Sequence, residues 1–101
     1  MVVEHLSLKE CVPGGFLGSR AKAQPIRRDM ERVFDAGGEV VLDFAGVEAT
    51  QSFIDELVGV LILQHGPSLI KRVNFRNCTK SMQGIVRFVL ADRAAQYAQA
   101  H

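Results

Sequence analysis

The sequence predicts an α/β domain: a small four- to five-stranded mixed sheet flanked by three to four helices, in the order β-β-α-β-α-β-α. Three observations carry this. Val40 to Phe44 (VVLDF) is an almost continuous apolar run of strand length, as expected when both faces of a central strand are covered. Phe53 to Gln64 is apolar nearly all round, so it reads as a helix packed on most sides. Strand and helix patterns alternate along the chain, which implies βαβ units, right-handed crossovers and parallel later strands.

Each element has its own warrant. Val2 to Leu8 is β-branched enough for a half-exposed first strand, and Pro13-Gly14-Gly15 forces a turn into Phe16-Leu17, so an N-terminal hairpin is expected. From about Gln24, with Pro25 tolerated in a first turn, Ile26, Met30, Val33 and Phe34 follow helical spacing until Gly37-Gly38 stops the run. The 45–51 segment connects the central strand to a helix beginning at Ser52. Gly59 inside that helix costs about 1 kcal/mol relative to Ala, and close approach to the sheet is the expected compensation. Gly66-Pro67 ends the helix, Arg72 to Phe75 reads as another strand, and Met82, Ile85, Val86, Val89 and Leu90 mark a last amphipathic helix.

With 101 residues, 48% of them apolar, the chain is one domain over residues 1–101 with a core that needs no disulfide or metal. Twelve basic against 11 acidic residues give a net charge of +1, which argues against a nucleic-acid binder. Arg20, Lys22, Arg27, Arg28 and Arg32 do cluster, but Asp29, Glu31 and Asp35 interleave with them as on a solvated helix face. The stretch Leu57 to Leu63 is far shorter than the roughly 18 residues that would span a bilayer. The N-terminus lacks the pattern of a secretory signal, so a cytoplasmic location without membrane association is expected. Cys11 and Cys78 read as reduced thiols.

Candidate chemistry concentrates at the second helix start. With Ser52 as N-cap, Asp55 falls at the third helical position and the two form a capping box. Asp43, Glu48, Asp55 and Glu56 surround that point with negative charge, which disfavours a phosphate and favours a docking patch for a basic protein. Magnesium on Asp43 with Asp55 is a minor alternative, and neither cofactor nor metal is expected. Gly14 to Ser19 lacks the spacing and lysine of a phosphate loop. His5, His65 and His101 belong to no catalytic pattern, so no enzyme activity is expected.

The run V-V-L-D-F-A-G-V (40–47) followed by S-F-I-D-E-L-V-G-V-L (52–61), with Gly18-Ser19-Arg20 upstream and Val73-Asn74-Phe75-Arg76-Asn77 downstream, resembles the STAS domains of bacterial anti-sigma factor antagonists. More closely, it resembles the STAS-like family of unknown function. The resemblance covers roughly residues 16–93 and implies a bacterial signal-transduction module with a four- or five-stranded sheet. In the antagonists an Asp-Ser-Ser-Gly helix start is phosphorylated by a partner kinase that is also the anti-sigma factor. This chain has Asp55-Glu56-Leu57 after Phe53-Ile54 and lacks that motif, so Glu56 would place a fixed negative charge near the regulated one, and Ser52 or Thr50 are the residues left to modify.

These readings converge on a non-enzymatic regulatory protein-binding module, monomeric or weakly homodimeric. Its partner surface is expected to comprise Ser52, Phe53, Asp55, Glu56, Glu48, Thr50 and Arg20, with Asp43, Gly46 and Gly59 structural. The expected partner is a protein, such as a histidine-kinase-like ATPase or an anti-sigma factor. The alternative is a small-ligand or nucleotide sensor built on the strand ends and the glycine loop.

Overall fold

The computed structural model describes residues 2–100. Strands β1 (Val3–Ser7), β3 (Glu39–Asp43) and β5 (Val73–Arg76) form a parallel sheet in the order β1-β3-β5. The register sets Val3 beside Glu39, and Val40 beside Val73. The central strand β3 buries Val40, Val41 and Leu42, as its unbroken apolar run requires. Val40 and Leu42 turn toward the main core with Leu6, Val73 and Phe75, while Val41 lies on the opposite face between His5 and Asn74.

The expected N-terminal hairpin does not form. Ser7 caps a single helical turn, α1 (Leu8–Cys11), by accepting from the Glu10 amide at 3.4 Å. After the glycine turn, β2 (Phe16–Leu17) pairs in parallel with β4 (Glu48–Ala49). The expected single mixed sheet is thereby corrected to two parallel sheets of three and two strands. The physical reason is reach: once α1 has turned the chain away from β1, its hydrogen-bonding partner is the extended segment leaving β3.

Helix α2 (Arg20–Asp35) buries Ala23, Ile26, Met30 and Phe34 at helical spacing. It starts before the expected Gln24, so Pro25 sits within it; Pro25 and Ala21, whose carbonyl loses its donor, are both solvent-exposed. The apolar rod is α3 (Gln51–Ile54), a π-helical turn (Asp55–Gly59) and α4 (Val60–His65) in succession. It buries Phe53, Ile54, Leu57, Val58 and Leu61. A 3-10 segment (Pro67–Arg72) leads to β5, and α5 (Lys80–Ala100) runs without interruption. No helix among the described residues is long and apolar enough to cross a membrane.

Candidate functional site

The short β2-β4 pair delivers two helix starts to the same place. The Thr50 amide donates to the Leu17 carbonyl at 2.9 Å, and the Thr50 hydroxyl donates to the Gly18 carbonyl at 3.2 Å. Gly18 leads within two residues to Arg20, the first residue of α2. Thr50 Oγ1 also accepts from the Phe53 amide at 3.1 Å, so Thr50 is the N-cap of α3. The predicted capping box on Ser52 is therefore wrong by two residues. Strand pairing fixes Thr50 in an extended conformation, the state a cap needs, and Ser52 is already helical.

Moving the cap moves the acids. Asp55 falls in the second turn and faces inward, with only 7% of its surface exposed. Arg93 of α5 grips it with two hydrogen bonds, Nε to Oδ1 at 2.6 Å and Nη2 to Oδ2 at 2.5 Å, and Arg20 Nη1 adds a third to Oδ2 at 2.8 Å. Glu56 is half-buried and pairs with Arg27, whose Nη1 also donates to the Glu56 carbonyl at 3.0 Å. Arg20 Nη1 lies 3.7 Å from Glu56 Oε1, and Arg27 reaches Glu31 at 3.3 Å. The Arg93 hydrogen bonds, helped by Arg20 and opposed by burial, hold the Asp55 carboxyl below the usual carboxylate range. Asp55 in turn raises the Arg93 guanidinium above its ordinary value.

Gly59 makes room for this grip. A Cβ there would run into Asp55 Oδ1 and stand 3.1 Å from both Arg93 Cγ and Val89 Cγ1. The close approach that a glycine permits is thus to the carboxylate and α5, not to the sheet as expected. Asp55 and Gly59 bound the π turn, in which the Val60 amide donates to the Asp55 carbonyl five residues back.

Several expected surface residues take other places. Asp55 and Glu56 do not form an outward acidic patch: internal arginines neutralise them, because two carboxylates beside the core must be paired. Phe53 is wholly buried in the core and offers nothing to a partner. Thr50 is occupied as a cap, Glu48 and Ser52 are exposed, and the Arg20 side chain is 48% exposed. Asp43 accepts from Asn77 Nδ2 at 2.8 Å and from the Ala45 amide at 2.9 Å, which lowers its pKa and ties the end of β3 to the end of β5. Gly46 turns with φ +73°, where a Cβ would stand 3.2 Å from the Lys9 side chain.

What faces solvent is a cleft of about 450 Å³ between the start of α3 and α5, lined by Arg20, Gln51, Ser52, Asp55, Phe88 and Arg93 among others. Phe88 is 56% exposed, and Phe16, on the strand pair that leads into α3, is 64% exposed. Sequence reading passed over both. The signal was there: Phe88 lies off the inward stripe of Met82, Val86 and Val89, and Phe16 alternates with the buried Leu17.

Parallel strands, crossover helices and a helix start held by internal ion pairs define a small α/β domain. Residues 22–83 match the family described as a STAS-like domain of unknown function, and the chain belongs to that family. Asp55, Glu56 and Arg27 lie inside the matched segment; Arg20 and Arg93 lie outside it. No curated protein and no solved structure was found to match the chain significantly.

Proposed function

We propose that the chain is a non-enzymatic regulatory module that binds another protein through the cleft face: Gln51, Ser52, Arg20 and Phe88, with Phe16 beside it. The observation that supports this reading is that two phenylalanines are left more than half exposed in a molecule that buries its others deeper, Phe88 lining the cleft and Phe16 on the strand paired with Glu48–Ala49 just before α3. Aromatic anchors beside hydrogen-bonding groups are the composition of interface centres, whereas an unoccupied core position would not place them in water. The partner is then a protein with an apolar pocket and polar rim rather than a strongly basic surface. The likeness to anti-sigma factor antagonists makes a histidine-kinase-like ATPase the first partner to assay. A small-ligand sensor draws less support, because the cleft arginines already satisfy Asp55 and carry little spare charge for an anion.

The test is affinity capture with the wild type and with Phe16→Ser/Phe88→Ser. A partner identified from the wild-type capture should bind the double variant at least about 30-fold more weakly, as expected for loss of about 2 kcal/mol at aromatic anchors. Equal binding by both, with both folded by thermal melting, would remove the proposed face.

A further inference from the structure

A second surface lies on the other side of α5 from the cleft. Strand β5 ends the three-stranded sheet: β3 pairs with one of its edges, and among the described residues no strand covers the other. The Phe44 amide donates to the Arg76 carbonyl at 2.9 Å, so Arg76 and, by the alternation of a parallel ladder, Asn74 turn their main-chain groups to β3. Those of Val73 and Phe75 face outward. The Val73 amide donates to the Ile70 carbonyl, but the Val73 carbonyl and both main-chain groups of Phe75 have no hydrogen-bond partner among the described residues. A groove of about 440 Å³ runs between this strand and α5, lined by Ile70, Val73, Phe75, Val86, Arg87 and Leu90 among others. It shares no lining residue with the cleft.

The charge on this flank is of one sign. From Leu57 to Ala91 the chain carries no Asp or Glu, while Lys71, Arg72, Arg76, Lys80 and Arg87 fall within that stretch. Arg72 is used internally, donating to the Phe34 and Gly38 carbonyls, and Arg76 alternates with Phe75 to the opposite face of the sheet, beside Asp43. Lys71, Lys80 and Arg87 are exposed and make no ion pair or side-chain hydrogen bond among the described residues. Arg87 stands in the groove wall, and Lys71 and Lys80 bracket the strand in the chain. The next acid along, Asp92, already accepts from Gln96 at 2.9 Å.

We infer that this groove is the docking site for an extended, acidic segment of another protein, whose backbone adds to β5 as an antiparallel strand and whose alternate apolar side chains enter the groove. Free main-chain groups beside the groove call for a backbone as ligand. Phe75 is the one residue of β5 with both groups free, and an antiparallel neighbour exchanges both bonds with a single residue. The side chain opposite Phe75 then lies on the same face and meets the walls at Ile70, Val86 and Leu90. Unpaired cations with no carboxylate among them favour acidic flanks on that segment. The same cations disfavour a second copy as occupant, because pairing of two β5 edges would bring like charges together. Three cations around an apolar groove give a nucleic acid little to neutralise it.

NMR titration of the full chain tests this, with the capped peptide Glu-Asp-Val-Thr-Val-Thr-Leu-Glu-Asp and versions carrying Ile, Leu or Phe at the apolar positions as probes. Binding should shift the Phe75 and Arg87 amides and slow hydrogen exchange at Phe75. Replacing the peptide acids by lysine, or Arg87→Glu in the protein, should each weaken binding at least about tenfold. N-methylation of the apolar peptide residues should abolish binding, and N-methylation of the threonines should leave it intact, since only the former face β5 in the antiparallel pairing. The inference is overturned if no acidic peptide perturbs the groove, if the lysine peptides or oligothymidylate bind there more tightly, if Arg87→Glu has no effect, or if methylation of the apolar residues is harmless. Arg87 is exposed on α5, so its substitution leaves the core intact, and the peptide modifications do not touch the fold at all.

Discussion

Asp55 and Arg93, 38 residues apart in sequence, meet in a two-pronged hydrogen bond that fastens the last helix to the second turn of the apolar rod. The planar guanidinium matches both carboxylate oxygens at once, a geometry that lysine cannot reproduce. Arg20 closes the third side from the start of α2. Three segments distant in the chain are thus joined at one carboxylate, and that carboxylate stands directly beneath the exposed start of α3.

Asp55→Asn should destabilise the fold by about 2–4 kcal/mol at neutral pH, because it leaves Arg93 partly buried without its hydrogen-bonded counter-charge, with only the weaker influence of Asp92 and Glu56 remaining. Arg20→Ala should cost under about 1 kcal/mol, since the Arg20 side chain is 48% exposed and well solvated. The folded-state pKa of Asp55 lies below its unfolded value. Its contribution is therefore present above about pH 3.9 and lost as pH falls through the lower folded value. Urea unfolding at neutral and acid pH checks this: the gap between wild type and Asp55→Asn should narrow in acid.

Gly59→Ala gives a prediction opposite to helix propensity. Propensity alone favours Ala by about 1 kcal/mol in a helix interior. The added methyl would press on Asp55, Arg93 and Val89, so a net loss of about 1–3 kcal/mol is expected. Denaturant melts of the variant decide the sign.

The position of the helix cap can be read by a pair of substitutions. Thr50→Ala should cost about 1 kcal/mol, and Ser52→Ala should stay within about 0.5 kcal/mol of wild type. Thermal unfolding of the two variants distinguishes this from a cap at Ser52, which would reverse the order.

The parts of the fold readable in the chain are those written in local periodicity. Val40 to Leu42 declares a doubly covered strand, and Phe53 to Leu63 declares a buried helix, because burial on both sides leaves no room for polar residues. The two-residue strand Glu48–Ala49 has no such pattern; it exists because Phe16–Leu17 lies alongside it. Thr50 and Ser52 are both capping residues, and the Ser52-x-x-Asp55 spacing fits a capping box, so only tertiary pairing to Leu17 and Gly18 chooses between them. The sequence pattern draws attention to the end of β3 and the start of the next helix, and there the structure inverts the expected electrostatics. A carboxylate near a helix start looks outward-facing in sequence, and the arginine that turns it inward stands 38 residues away with no local mark.

The most direct measurement is an NMR pH titration of the Asp55 side-chain carboxyl carbon. An inward carboxylate gripped by Arg93 and Arg20 should titrate well below the ordinary aspartate value of about 3.9. Titration at or above that value, as for a carboxylate free in water at the surface, would contradict the account.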